Sequence, residues 1–386
     1  MITRNCLFYA GLLVLLLSKG VHGQYEFEFL TFKFDESQTY LEIFCQVPNR
    51  EWVVTITLSD TAGLPVASQT HHNRAQSADI SRVEPVVVRY VFVIEPGDYT
   101  AQVTLTNPKT KAYSTFSKQV RLPNYSKEGL AFSDLQFASS ITVSQDTNSL
   151  LVKNFRKVIP NAVRVYGGEV STVFLYFEIY NLEPLADTQN NWLDVRCTIL
   201  KDPVAVKSVK VRYPFGESSL AADLGIPVHD LSTGRYQLLI TATSQDGQVA
   251  KKEAMFTVIK PIRLYTDHEM ETLIRQMALI ATPDEIGALR ASKHSMAVIE
   301  HFWKSRDSTP NTEDNQAFVE FCKRLLYAGE HYKCGAKHGW ETERGKMYLI
   351  NGSPTQIEEV ENGQEVWSYP HARYEFLLCD EAPGEY

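Results

Sequence analysis

Gly234-Arg235-Tyr236-Gln237-Leu238-Leu239-Ile240-Thr241-Ala242-Thr243 alternates apolar and polar side chains and runs into the turn residues Gln245-Asp246-Gly247. Period two bounded by a glycine-containing turn marks a strand entering a hairpin. An earlier stretch repeats the arrangement: Gly97-Asp98-Tyr99 opens a run to Leu105 that ends in the turn Asn107-Pro108-Lys109-Thr110. The two Gly-x-Tyr landmarks stand 137 positions apart, and Glu42-Ile43 recurs as Glu178-Ile179 at 136. Two landmarks at nearly one offset predict a duplicated unit. The last hairpin of many immunoglobulin-like sandwiches begins this way, so Tyr99 and Tyr236 are expected as corner and core residues rather than a ligand platform.

Working outward, Tyr40 to Cys45, Trp52 to Leu58, Val86 to Val93 and Tyr99 to Leu105 form one set of short strands. Phe174 to Tyr180, Trp192 to Leu200, Val206 to Tyr213, Tyr236 to Thr243 and Ala254 to Ile259 form the second. These sets predict two tandem immunoglobulin-like β-sandwiches, at residues 24–123 and 124–260. After Pro261 the period changes to about 3.6. Thr266 with Glu269, and Thr282-Pro283 with Glu285, are helix starts. A third helix carries Val298, Ile299, Phe302 and Trp303, and a fourth runs from about Glu313 with Phe318, Phe321, Cys322, Leu325 and Leu326 on one face. Strands are expected at Lys346–Ile350, Glu365–Tyr369 and Tyr374–Leu378. The chain is thus mainly β with a C-terminal α+β domain at 261–386, a helical layer packed on a small antiparallel sheet.

With 386 residues, 44% hydrophobic and 22% charged, the chain has ordinary globular usage and length for more than one core. Its 38 Lys and Arg against 46 Asp and Glu give a net charge of -8, which removes electrostatic support for a nucleic-acid partner. Most of the acidic surplus falls in 261–386, where a solvated helical surface accounts for it. Arg4, the apolar run Cys6 to Leu17 and Val21-His22-Gly23 read as a signal peptide over residues 1–23, cleaved before Gln24. That run is shorter than the ~20 residues of a spanning helix, and no later segment is apolar enough to span. The expected location is periplasmic, outer-membrane-associated or extracellular. Cys45, Cys197, Cys322, Cys334 and Cys379 remain after cleavage; an odd number favours buried thiols, with Cys322 and Cys334 the nearest pair for one bridge.

Tests for chemistry fail in turn. His268-Glu269-Met270-Glu271-Thr272 lacks the second His of a zinc protease helix. Gly339 to Lys346 has one residue too many for a phosphate loop and Met347 where Ser or Thr should follow. Gly216-Glu217-Ser218-Ser219-Leu220 lacks the second glycine of a nucleophile elbow. Cys322, His331, Cys334 and His338 are spaced C-x8-H-x2-C-x3-H, with the first pair too far apart for a zinc knuckle. No catalytic residue, metal or cofactor is assigned.

The most distinctive stretch is Gly339-Trp340-Glu341-Thr342-Glu343-Arg344-Gly345, followed by Lys346 to Ile350 and Gly352-Ser353-Pro354. It resembles the GWxTD domain, whose pattern is G-W-x-T-D-R-G, a short strand, then G-x-P. Upstream, Phe302-Trp303-Lys304-Ser305-Arg306-Asp307-Ser308-Thr309-Pro310 looks like the family's F-W-x-x-R-D-P-T-P, with Asn315 at its following Asn. Glu365-Val366-Trp367-Ser368-Tyr369 continues the likeness downstream. Glu343 replaces the family's Asp and Ser308 a Pro. The resemblance implies an exported bacterial protein and brings no reaction with it. The motif residues are therefore Gly339, Trp340, Thr342, Glu343, Arg344, Gly345, Arg306, Asp307 and Trp303. Among them Arg344 is placed to pair with Asp307 or another carboxylate, and Trp340 to lie under Arg306 or Arg344. The expected function is non-catalytic binding or assembly with an envelope or surface protein; the alternative is an envelope hydrolase or transferase using Arg306, Asp307, Arg344 and Glu343.

Overall fold

The computed structural model describes residues 26–377 except 48–50, 74–85, 147–148, 185–190, 263–264, 293–294, 308–314, 361–363, 370–371 and positions 110, 112, 128, 169, 202, 353 and 355. The expected signal peptide at residues 1–23 and Cys379 lie outside the described residues.

The first sandwich comprises β1 (Glu26–Lys33), β2 (Thr39–Val47), β3 (Trp52–Ser59), β4 (Pro65–Asn73), β5 (Val86–Ile94), β6 (Gly97–Thr106) and β7 (Tyr113–Leu122). Its sheets run β1-β2-β5 and β4-β3-β6-β7. The second comprises β8 (Ala131–Phe132), β9 (Gln136–Val143), β10 (Val152–Lys153), β11 (Arg156–Pro160), β12 (Val165–Tyr166), β13 (Thr172–Tyr180), β14 (Trp192–Lys201), β15 (Val204–Pro214), β16 (Ser219–Pro227), β17 (Gly234–Thr243) and β18 (Val249–Val258). Its sheets are β10-β11-β9-β13-β16 and β12-β18-β17-β14-β15, so the order of the first sandwich returns with β10, β11 and β12 added at the edges. Alternation drives both cores: β3 and β17 bury every second side chain, as strands with one face inward must. Leu41, Ile43, Ile56 and Val103 centre the first core, and Leu175, Phe177, Leu238 and Ile240 the second.

The corner tyrosines match in detail. Tyr99 Oη donates to the Glu95 carbonyl at 3.0 Å and Tyr236 Oη to the Ser232 carbonyl at 2.7 Å, each four residues back.

The C-terminal domain holds α1 (Asp267–Met277), α2 (Pro283–Ala291), α3 (Met296–Lys304), α4 (Gln316–His331), a 3-10 turn Gly339–Glu341, α5 (Glu343–Asn351), and a sheet β19 (Gln356–Val360), β20 (Gln364–Tyr369), β21 (Ala372–Leu377). Both expected capping boxes form: Thr266 with Glu269, and Thr282 with Glu285 behind Pro283. Asn315 caps α4 by accepting from the Phe318 N–H at 2.8 Å. The expected strand Lys346–Ile350 is instead part of α5. Thr342 caps that helix, and Gly345, Tyr348 and Leu349 fall on one buried face at spacings of three and four. Its apolar run is too short for periodicity to separate strand from helix, and the cap decides. Below the helices, Ala328, Tyr332, Tyr348, Trp367 and Phe376 pack α4 and α5 onto β20 and β21.

This domain sits on the second sandwich through Ile259, which joins the helical core. Thr233 Oγ1 accepts from the Lys260 N–H at 3.0 Å, and Arg235 pairs with Glu330 of α4. No helix among the described residues is long and apolar enough to cross a membrane.

Candidate functional site

Three backbones meet at the motif. A Cβ on Gly339 would stand 1.7 Å from the Ala328 carbonyl oxygen of α4, and one on Gly345 would stand 1.8 Å from the Gly339 carbonyl oxygen. Both glycines are there because no side chain fits between the chain segments. Thr342 Oγ1 donates to the Gly339 carbonyl at 2.7 Å and accepts from the Gly345 N–H at 3.1 Å, so one hydroxyl closes the turn and caps α5. Arg344 Nη1 lies 3.3 Å from Glu365 Oε2, which also accepts from Trp367 Nε1 at 3.0 Å. The guanidinium lies 5.5 Å from the Tyr332 ring centroid, tying α5 to β20 and to the end of α4. Glu343, at 80% side-chain exposure, pairs with Lys346 at 2.8 Å in the first turn of α5. A carboxylate in water there favours the helix N-terminus whether it is Asp or Glu.

Trp340 is half-buried against the helical core and stacks on His338 with centroids 6.5 Å apart. The two guanidiniums stack on other rings: Arg344 on Tyr332, and Arg306 on Phe302 at 3.7 Å. Arg306 Nη2 bonds Glu285 Oε2 at 2.8 Å, fixing the end of α3 to the capping box of α2. This bond, with the Thr282 backbone N–H, holds the Glu285 carboxyl down to about 2. Trp303 is core, with Phe302, Phe318 and Phe321 rings 5.1 to 5.3 Å from its own. Asp307 follows directly after Arg306 at the end of α3, its N–H on the Lys304 carbonyl at 3.4 Å. Arg306 and Arg344 thus take separate carboxylates, Glu285 and Glu365.

The Cys/His group does not form a metal centre. Cys334 is disulfide-bonded and Cys322 is a free thiol in the helical core, so these two do not bridge each other. Burial pushes the Cys322 thiol up to about 12, which leaves no thiolate. The His331 ring lies tilted against Tyr327, with centroids 4.1 Å apart.

A second polar cluster was not singled out from the sequence. The outer face of β1-β2-β5 packs on the outer face of β9-β13-β16, burying Leu30, Phe32 and Phe44 against Ala138, Val158 and Tyr176. Phe32 and Phe44 each contribute about 1.5 to 3 kcal/mol by burial. Between the sheets Glu42, fully buried, accepts from Arg89 of its own sandwich and from Lys153 of the other. The Lys153 ammonium lies 4.4, 5.0 and 5.8 Å from the ring centroids of Phe32, Tyr176 and Phe44, and desolvation lowers its pKa. Nearby, Glu28 bonds Arg164 Nη2 at 3.1 Å, yet burial outweighs that cation and pushes the carboxyl up to about 7. Asp134 accepts from the Thr31 N–H at 2.8 Å and its hydroxyl at 2.7 Å. The sequence signal for this seam was present: Glu42 and Glu178 sit inside runs apolar on both faces, where a charge has to be paired.

A cleft of about 280 Å3 opens at one edge of the seam, walled by Tyr40, Arg89 and Lys33 on one side and Lys153, Asn154 and Glu178 on the other.

No curated protein matches this sequence. Among solved structures, red sea bream transglutaminase is similar over 63% of this chain and 32% of its own, at 10% identity and a TM-score of 0.21. This chain thus spans about a third of that protein's length. Likeness at that level carries no argument. The family comparison meets the geometry directly, since the contacts of Gly339, Thr342, Arg344 and Gly345 lie within its span: residues 242–378 match the family described as the GWxTD domain.

Proposed function

We propose that the protein is an exported, non-catalytic component of a cell envelope or secreted assembly, in which the C-terminal domain binds another envelope component. The observation that carries this reading is how the motif spends its reactive groups. The Thr342 hydroxyl, the Arg344 guanidinium and both glycines are committed to internal contacts, leaving the Trp340 and His338 edge for a partner. The signal-like first 23 residues and the Cys334 disulfide support an oxidising compartment. The sandwich pair, joined through buried charges, serves as a pedestal for the C-terminal domain.

Affinity capture from envelope extract, with residues 24–386 as bait, tests this reading. A His338→Asp bait changes an exposed side chain beside Trp340. One component is expected on the first bait and depleted on the second, with unchanged circular dichroism of both. Equal capture by both baits, or none by either, contradicts the assignment.

A further inference from the structure

The cleft at the sandwich seam is lined by three cations, Lys33, Arg89 and Lys153. Glu42 lies beneath it, fully buried, and is satisfied by Arg89 and Lys153 together. Glu178 is capped by three donors: Tyr176 Oη and Asn154 Nδ2 on Oε1, and Tyr180 Oη on Oε2 at 2.8 Å. Lys33 stands at the rim, its ammonium paired with Glu36 at 2.8 Å. Lys33, Arg89 and Lys153 are balanced by Glu36, Glu42 and Glu178, so what the cleft offers an anion is directed N–H donors rather than a surplus charge.

Arg89 is oriented rather than used up. Its Nε bonds Glu42, Nη2 bonds Tyr40 Oη at 2.5 Å and Nη1 bonds the Leu150 carbonyl at 3.0 Å, which leaves one hydrogen on each terminal nitrogen. Around it the walls offer the Asn154 amide oxygen, whose nitrogen is taken by Tyr176 and Glu178, and the Tyr40 phenol as hydrogen-bonding groups, and the Phe32 ring as an apolar face. A volume of 280 Å3 has room for a molecule of monosaccharide size.

We propose that this cleft is a binding site for a small hydroxylated monocarboxylate of the size and chemistry of a sugar acid, its carboxylate toward Lys33 and Arg89 and its hydroxyls toward Asn154 and Tyr40. The one hydrogen left on each terminal nitrogen of Arg89 suits the two oxygens of a carboxylate, and the mixed polar and ring lining suits an organic acid better than a bare inorganic ion. The site is made only when both sandwiches meet, and it is independent of the motif loop.

Calorimetric titration of the full mature chain with galacturonate, galactose and inorganic phosphate tests it. Galacturonate is expected to bind while galactose does not and phosphate binds more weakly. Lys33→Glu is expected to weaken galacturonate about tenfold, the scale of one charge-assisted hydrogen bond. Arg89→Lys, which keeps a cation for Glu42 and loses the fork, should also weaken it. Absence of galacturonate binding overturns the proposal. So does equal binding of galactose or phosphate, or full affinity in Lys33→Glu.

Discussion

Asn154 and Phe155 form the two-residue loop between β10 and β11, with φ of 46° and 59°. A two-residue hairpin with both φ positive favours Asn-Gly, and Asn154 is suited to it while Phe155, 70% exposed, is not. Phe155→Gly is expected to stabilise the chain by about 0.5 to 1 kcal/mol, read from chemical denaturation. A loss of stability would mean that the ring packs in a way its exposure does not suggest. At Glu343 the structure makes the opposite statement about importance: the residue at the family's Asp is in water with Lys346 alone. Glu343→Gln should shift stability by no more than about 0.5 kcal/mol. A fall of several kcal/mol would show that the carboxylate has a partner the fold conceals.

Helix α5 shows what a cap decides. Thr342→Val keeps the shape of the side chain and removes both hydrogen bonds of its hydroxyl. A loss of about 1 to 2 kcal/mol is expected, with Thr342→Ser recovering most of it. Equal stability of the Val variant would remove the capping argument. Much at this scale was legible in sequence. The capping boxes at Thr266 and Thr282 and the two Gly-x-Tyr strands read correctly because their signals are local. Met347-Tyr348-Leu349-Ile350 misled because four apolar residues fit a strand as well as a helix face, and the Thr342 cap that separates them was not given that weight. That Gly339 brings the motif turn against the Ala328 carbonyl needed the fold.

The whole molecule is held by contacts between sheets that no local pattern reveals. Arg89 and Lys153 reach Glu42 across sequence separations of 47 and 111, so the doubly apolar strands announced a buried outer face without naming what covers it. Glu28 in the same seam makes stability depend on pH. Its carboxyl titrates near 7 in the folded chain and near 4.5 when unfolded, so between those values the native state binds the extra proton. This group's contribution is therefore neutral below about pH 4.5 and turns unfavourable as pH rises through 7, by a few kcal/mol at most at ~1.4 kcal/mol per unit. In Glu28→Gln that dependence should flatten, and the variant should gain on the wild type between pH 5.5 and 7.5 in urea unfolding. Parallel profiles would place the seam's titration elsewhere. The central claim remains that the GWxTD motif is a backbone lock seating α5 and the β19–β21 sheet on α4. Hydrogen exchange on full-length Gly339→Ala beside Glu343→Gln tests it most directly. The account predicts lost protection in α5, β20 and β21 for the first, where a Cβ would collide with the Ala328 carbonyl, and none for the second. Wild-type protection throughout Gly339→Ala would contradict it.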